Sequence, residues 1–250
     1  MHALLTGLGV VSPYGVGRDL FWREVAAGRQ AFRPLTRFDA SAYRNTLAGE
    51  VPDFPAGPYQ RAAAFAATAA REAVADANLP PDARLGLVLG TNFAGLGRAE
   101  AAFRSPADPA AAKLDEYLAE HALAAIAAEL GRPADSFSPR AALCLSCASG
   151  AAALGQGLDW LRSGRCDAVL AGGFDELTES AYAGLSALRA VSRDTIRPFD
   201  VNRDGPLFSE GAGLVVLETP DFARARGARA YARLLGRGLN IDQAKADEIV

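Results

Sequence analysis

The sequence predicts an α/β fold with a mostly parallel, mixed sheet covered by helices on both faces. Apolar runs of strand length alternate with segments whose apolar residues recur at helical spacing. The strand runs are continuously apolar rather than alternating, which is typical of strands buried on both faces. With 250 residues, 50% of them hydrophobic, the chain is long enough to bury a sizeable core.

The first third of the chain contains two predicted strands and two predicted helices. The apolar run 3–11 reads as a buried strand, and 19–27 as a short amphipathic helix. Residues 30–58 are irregular and rich in proline and aromatic residues, which indicates an ordered excursion or lid. The alanine-rich stretch 59–77 predicts a helix buried on most sides, and 85–89 a second strand.

The middle of the chain opens with a glycine-rich segment, 90–97, where the backbone can approach its neighbours closely. An exposed loop is predicted at 104–111 and a long helix, containing His121, at 112–130. A further buried strand is predicted at 140–145.

The last part continues the same alternation. A helix at 147–162 precedes a strand at 166–171 and a helix at 179–190. Residues 197–205 are polar and rich in turn formers. The remaining elements are predicted as a strand at 214–217, a helix at 220–226 and a strand at 230–238.

Cys147 is the candidate nucleophile, because it stands where the strand at 140–145 gives way to a helix. A helix N-terminus favours an anion, and the thiolate is the form of cysteine that attacks a carbonyl. The small residues 148–150 leave room for a substrate. The alternative for any cysteine is a buried structural role. That alternative is preferred for Cys144, inside the strand, and for Cys166, at the start of the next one.

Bulk composition narrows the classes of function. The net charge is −3 with both signs interspersed, so nothing points to nucleic acid or an anionic membrane as partner. The mean hydropathy is +0.06 and no apolar run reaches transmembrane length. Three cysteines without a secretory pattern favour a reducing cytoplasm and no structural metal.

Two familiar enzyme classes fit poorly. Gly7-Leu8-Gly9 begins like a dinucleotide-binding loop, but Ser12 replaces the third glycine and Pro13 follows where a helix should open. A cysteine protease is disfavoured because the two histidines, His2 and His121, match no catalytic motif.

Several ordered motifs give the chain a family resemblance. They are Thr6-Gly7-Leu8-Gly9-Val10-Val11-Ser12-Pro13, Arg37-Phe38-Asp39, Cys147-Ala148-Ser149-Gly150, Ala171-Gly172-Gly173, Arg197-Pro198-Phe199-Asp200, Arg203-Asp204-Gly205 and Glu210-Gly211-Ala212-Gly213. In this order and approximate spacing, they resemble the N-terminal half of a β-ketoacyl-acyl-carrier-protein synthase, a condensing enzyme of the thiolase fold. The resemblance covers residues 1–240, and residues 1–250 are expected to be one such N-terminal-like domain without the C-terminal half.

The resemblance implies an acyl-thioester enzyme of fatty-acid or polyketide synthesis. Cys147 would accept the acyl chain from acyl carrier protein and supply one oxyanion donor through its own backbone N–H. The chain would then be condensed with a malonyl-derived unit. Phe93 and Leu185 lie where the family lines its acyl pocket. The resemblance implies no metal and no cofactor beyond the carrier's phosphopantetheine arm, and it implies a dimer or a heteromer.

This sequence departs from the family pattern at three places. Leu145-Ser146 precede the nucleophile where Thr-Ala is common, and Pro206 stands where phenylalanine is usual. The family's second half, which brings two histidines, a lysine and a glycine-rich loop, has no counterpart in these residues.

Three hypotheses therefore remain open. The chain is one half of a ketosynthase completed by a second polypeptide that carries the histidines. Alternatively, it is a non-condensing scaffold or a partner that sets chain length. The third hypothesis is simple acyl transfer through Cys147, which requires fewer catalytic groups.

Overall fold

The computed structural model describes residues 1–55, 57, 59–105 and 114–240. Its main sheet has seven strands, six of them in the order β2-β1-β8-β7-β5-β6, and β9 pairs with β1 at its other end. These strands are β1 (Ala3–Ser12), β2 (Gly15–Val16), β5 (Leu85–Gly90), β6 (Arg140–Leu143), β7 (Ala168–Asp175), β8 (Gly211–Glu218) and β9 (Ala232–Leu234). A separate two-stranded ribbon joins β3 (Arg33–Pro34) to β4 (Leu47–Ala48) within the excursion predicted at 30–58.

The sheet is mixed, as predicted, and its parallel part lies around β5. Strand β5 pairs in parallel with β6 on one side and with β7 on the other. The pairs β7–β8 and β8–β1 are antiparallel, so the parallel share is smaller than expected. Because β5, β6 and β7 are parallel, their carboxyl ends meet at one edge of the sheet, where Gly90, Leu143 and Gly173 are neighbours.

Helices cover both faces of this sheet, which confirms the predicted layering. Helices α2 and α4 supply the core on one face, and α5 supplies the core on the other. The helices are α1 (Arg18–Ala26), α2 (Arg61–Ala77), α3 (Leu96–Arg104), α4 (Glu120–Glu129), α5 (Ser149–Arg162), α6 (Glu179–Ala187) and α7 (Pro220–Ala225). None of them is long and apolar enough to cross a membrane in the part of the chain that the structure describes.

Three differences between the predicted and the observed elements are the largest, beyond shifts of a few residues at other boundaries. The helix expected at 112–130 is a 3₁₀ turn, Leu114–Tyr117, followed by α4, and residues 112–113 lie outside the described residues. Helix α3 was not predicted, since the glycine-rich pattern at 90–97 suggested only a loop. The loop expected at 104–111 lies outside the described residues from 106 onward.

The third difference lies at the strand before Cys147. Strand β6 ends at Leu143, and its residues are half-buried or exposed rather than fully buried. The reason is its place at the end of the sheet, which leaves one edge of the strand without a partner among the described strands.

The glycines of the Gly7-Leu8-Gly9 segment serve helix packing. A β-carbon placed on Gly9 would lie 1.9 Å from the carbonyl oxygen of Ala69 in α2, so only glycine permits this approach. The alanine-rich face of α2 therefore rests directly on the backbone of β1, as the predicted burial of that helix requires.

Buried carboxylates connect the excursion to the sheet. The fully buried side chain of Glu210, just before β8, accepts hydrogen bonds from the backbone N–H groups of Val51 (2.9 Å) and Leu177 (3.2 Å). Arg61 at the start of α2 forms a salt bridge with it at 2.5 Å. One carboxylate thus fixes three separate segments of the chain.

Glu176, immediately after β7, is a second buried carboxylate and gives a prediction about pH. Burial raises its pKa to about 7, although Arg37 lies 3.4 Å away and acts in the opposite direction. The folded protein therefore keeps this proton at pH values where the unfolded chain, with a value near 4.5, has lost it. The free energy of unfolding contributed by this bound proton is fully present below about pH 4.5 and is lost as the pH rises through about 7.

Glu176→Gln should remove this pH-dependent loss of stability. At pH 5 the variant and the parent should unfold at similar urea concentrations, because glutamine resembles the protonated acid. At pH 8 the variant should be more stable, by about 2–3 kcal/mol. Glu129→Gln, at the end of α4, removes the same charge from a more exposed site and is the control. A pH-independent difference between Glu176→Gln and the parent would contradict the prediction.

Candidate functional site

The sequence-predicted nucleophile, Cys147, lies on a sharp turn between a strand and a helix. Strand β6 ends at Leu143, and α5 begins at Ser149. Between them Ser146 adopts a left-handed backbone conformation with φ of 50°, which reverses the direction of the chain. Cys147 follows directly and is exposed. The predicted strand-to-helix corner is thus present, and the thiol is accessible.

The buried hydroxyl of Ser149 holds this turn together. Its Oγ accepts a hydrogen bond from the backbone N–H of Leu145 at 2.8 Å and lies 2.7 Å from the carbonyl oxygen of Ser146. It also lies 3.3 Å from the carbonyl oxygen of Thr91. Ser149 therefore fixes the shape of the nucleophile turn and joins it to the segment that follows β5.

That second segment, residues 91–93, is fixed by Asp175 at the end of β7. The carboxylate accepts hydrogen bonds from the hydroxyl of Thr91 (2.6 Å) and from the backbone N–H groups of Asn92 (3.0 Å) and Phe93 (2.9 Å). Sequence reasoning did not single out Asp175. An acidic residue at the carboxyl end of a parallel strand, beside a glycine-rich segment, is the signal that could have found it.

The nucleophile turn and the 91–93 segment enclose a cleft of about 250 Å³. Its lining includes Asn92, Cys147 and Asp175, together with a floor made by Gly90, Gly150 and Gly173. A β-carbon on Gly90 would lie 2.3 Å from the carbonyl oxygen of Ser149, so α5 can start this close to the sheet only above glycine. We refer to Gly90, Gly150 and Gly173 together as the glycine floor.

The polar groups of the cleft suit acyl chemistry on one thiol. Cys147 stands just before α5, where the helix dipole favours negative charge. The Oδ1 atom of Asn92 is buried without a hydrogen-bond partner among the described residues, so the cleft contains an unused acceptor. Within the described ranges, no group of three or more histidine, cysteine or acidic residues could hold a metal ion.

Neither histidine lines this cleft. His2 precedes β1, and His121 lies on α4 with its ring centroid 6.0 Å from that of Tyr59. His121 is half-buried on α4, within the stretch where a helix was predicted. A base or second oxyanion donor for Cys147 is therefore not supplied by a histidine of the described residues.

The two residues predicted to line an acyl pocket, Phe93 and Leu185, lie in separate segments of the fold. Phe93 directly follows Asn92 and is half-buried. Leu185 lies on α6 and is also half-buried. Neither belongs to the lining of the cleft beside Cys147, and their role as walls of an acyl pocket stays a prediction.

The other two cysteines have contrasting environments. Cys166 is buried, as expected, and burial raises the pKa of its thiol to about 11. Cys144 is exposed, which corrects the expectation of a cysteine inside a buried strand, because β6 ends one residue earlier. Its Sγ lies 3.9 Å from the carbonyl oxygen of Asn92.

Comparison with known proteins gives a consistent set of relatives. The sequence profile of the β-ketoacyl synthase N-terminal domain matches residues 4–223. The tetracenomycin polyketide synthase ketoacyl synthase alpha subunit of Streptomyces glaucescens is 34% identical, over 94% of this chain and 62% of that protein. A 3-oxoacyl-[acyl-carrier-protein] synthase 2 of Staphylococcus aureus is 30% identical, over 97% of this chain and 63% of that protein.

Solved structures give the same result. The ishigamide ketosynthase/chain length factor superposes with a TM-score of 0.84 at 35% identity, over 97% of this chain and 64% of that one. AntDE:AntF, a type II polyketide synthase carrier protein in complex with its ketosynthase, superposes with a TM-score of 0.78 at 28% identity, over 93% and 61%. The chain therefore spans slightly less than two thirds of the length of these relatives.

Proposed function

The chain belongs to the β-ketoacyl synthase family, and from that premise we propose that Cys147 accepts an acyl chain from a carrier-bound thioester. The observation that carries this proposal is the exposed Cys147 on a fixed strand-to-helix turn, in a cleft with a glycine floor. The acyl chain would then be condensed with a malonyl-derived unit in fatty-acid or polyketide synthesis.

The proposed loading step uses groups on the nucleophile turn. The Cys147 thiolate attacks the thioester carbonyl, and its own backbone N–H stabilises the negative charge on the carbonyl oxygen. The tetrahedral intermediate collapses, the carrier's thiolate leaves and takes up a proton, and the acyl group remains on Cys147. This step needs neither a metal nor a bound organic cofactor beyond the phosphopantetheine arm that presents the substrate.

Condensation needs further groups that stabilise an enolate. We propose that a ketosynthase-type chain supplies them, in a homodimer or a heteromer, and that acyl carrier protein delivers the substrates. The structural relative AntDE:AntF, a ketosynthase in complex with its acyl-carrier protein, supports such partners. We place this reaction in the cytoplasm, where thiols stay reduced.

Direct acylation tests the proposal. The reduced protein is incubated with an acyl carrier protein that carries a short saturated acyl thioester, and the adduct is located by peptide mass spectrometry. We expect one acyl group per chain, on Cys147, released by neutral hydroxylamine as a thioester should be. Absence of an adduct on Cys147 would refute loading and favour the scaffold hypothesis.

A further inference from the structure

Among the described residues that line the cleft of Cys147, Asp175 is the only acid. The proposed loading step gives this carboxylate no role. The four hydrogen bonds that it accepts in the described part of the chain all come from residues 91–93. Asp175 therefore acts on the cleft through that segment.

Three consecutive residues converge on this single carboxylate. The hydroxyl of Thr91 donates to Oδ1 at 2.6 Å, and the backbone N–H of Phe93 donates to the same atom at 2.9 Å. The N–H of Asn92 lies between the two oxygens, at 3.1 and 3.0 Å. Successive N–H groups around an anion make a concave loop, and charge-assisted hydrogen bonds are about twice as strong as neutral ones.

No regular element fixes the shape of this loop, because β5 ends at Gly90 and α3 begins only at Leu96. Ala94, the next residue, has a φ of 42°, a left-handed conformation that alanine adopts only where its surroundings impose it. Its N–H donates to the hydroxyl oxygen of Thr91 at 2.9 Å. The hydrogen bonds that begin at Asp175 thus hold a strained segment in place.

The same segment contacts the turn that carries the thiol. The Oγ of Ser149, which accepts from the N–H of Leu145, lies 3.3 Å from the carbonyl oxygen of Thr91. Asn92 and Cys147 both line the cleft. The 91–93 segment is consequently one wall of the cleft, and Asp175 fixes that wall relative to the nucleophile.

We propose that Asp175 is a positioning residue that sets the size of the group that Cys147 accepts. Selection among acyl chains in this way rests on the proposed function. The wall itself limits any reagent that approaches the thiol, so its position can be tested without acyl transfer.

Hydrogen exchange tests the anchoring. Asp175→Asn replaces one acceptor oxygen by an NH₂ group, which cannot accept from three donors. The amides of Asn92 and Phe93 should therefore exchange faster by about tenfold or more, the factor that one hydrogen bond to a charged group represents. Asp167→Asn is the matched control. Asp167 directly precedes β7 at its opposite end and forms an exposed salt bridge with Arg84 at 2.7 Å, so this variant should leave both amides unchanged.

Alkylation of Cys147 tests the size limit. The two reagents are iodoacetamide, which is small, and N-(1-pyrenyl)maleimide, which is bulky, and labelling of Cys147 is followed by peptide mass spectrometry. In Asp175→Asn the rate with the bulky reagent, relative to iodoacetamide, should rise by about tenfold over the parent ratio, because the wall can move. Asp167→Asn should keep the parent ratio.

Two further variants separate position from charge. Thr91→Val keeps the carboxylate and the size of the side chain but removes the donor, so the ratio should rise in the same direction by a smaller factor. Asp175→Glu keeps both acceptor oxygens and should restore most of the amide protection and of the parent ratio. If Asp175→Asn fails to fold, Thr91→Val decides the question.

The proposal is overturned if Asp175→Asn leaves both amides protected. It is overturned equally if the variant changes both alkylation rates by the same factor, since the carboxylate then acts through its charge on the thiol. Amides that lose protection while the ratio of rates stays at the parent value would show that the 91–93 segment does not limit access.

Acyl loading from carrier protein with a short and a long saturated chain separates this inference from the proposed function. If the parent protein is not acylated, the proposed function fails, while the alkylation ratios still report on Asp175. If the parent is acylated and Asp175→Asn loads the two chains at the parent ratio, selection by Asp175 fails while the proposed function stands.

Discussion

Cys147→Ala should reduce acyl loading of the protein to the background level, a loss of about three orders of magnitude or more. The reason is that the described cleft lining contains no second thiol, and a serine or threonine hydroxyl, which the lining does contain, is a much weaker nucleophile without an adjacent base. The turn itself should survive, because its hydrogen bonds are made by Ser149 and by the backbone rather than by the thiol. The measurement is the rate of incorporation of a radiolabelled acyl group from acyl carrier protein.

Cys166→Ala is the matched control for this loss. It removes a thiol of the same intrinsic chemistry from a buried site on the core side of α5. We expect loading to continue at the parent rate, at a temperature where both proteins remain folded by circular dichroism. Loading that persists in Cys147→Ala but falls in Cys166→Ala would show that the acyl group resides on Cys166. That result would contradict the proposed role of Cys147.

Glu210→Ala should be the most damaging of the predicted substitutions for stability. The carboxylate is fully buried and neutralises Arg61, while accepting from the backbone N–H groups of Val51 and Leu177. Its removal leaves a partly buried cation and two buried backbone donors without their carboxylate partner, which costs about 3–5 kcal/mol. A loss of this size is comparable with the whole stability of many domains, so part of the variant should be unfolded at room temperature.

Urea unfolding followed by circular dichroism measures this loss. Glu129→Ala is the control, because Glu129 also forms an ion pair with an arginine, Arg71, but at a more exposed site. Surface pairs contribute about 0–1 kcal/mol, so the control should shift the midpoint only slightly. Equal shifts for the two variants would show that the buried position of Glu210 has no special importance.

The family, the layering and the strand-to-helix corner that carries Cys147 were all accessible from the sequence because each depends on a local pattern. Continuous apolar runs predicted the core strands, and a strand followed by small residues predicted the corner at Cys147. The hydrogen bonds that shape the cleft were not accessible, since they join distant residues. Asp175, for example, accepts from residues 91–93 across 82–84 positions in the chain.

The exposure of Cys144 illustrates a second limit. Its neighbours are apolar, so composition alone indicates a buried strand. Whether a short apolar strand is central or lies at the edge depends on which strands pair beside it, and that follows from the topology of the whole sheet. The end of β6 and the accessibility of both thiols could therefore be seen only in the folded chain.

The glycine floor also constrains anyone who wishes to re-engineer this protein for bulkier substrates. Enlarging a cavity normally means shortening the side chains that fill it, but Gly90, Gly150 and Gly173 have none to shorten. At Gly90 a larger side chain is excluded as well, because an added methyl group would collide with the backbone of α5. Directed evolution should consequently find its useful variation in the walls of the cleft, and libraries that randomise Gly90 should return mostly unfolded chains.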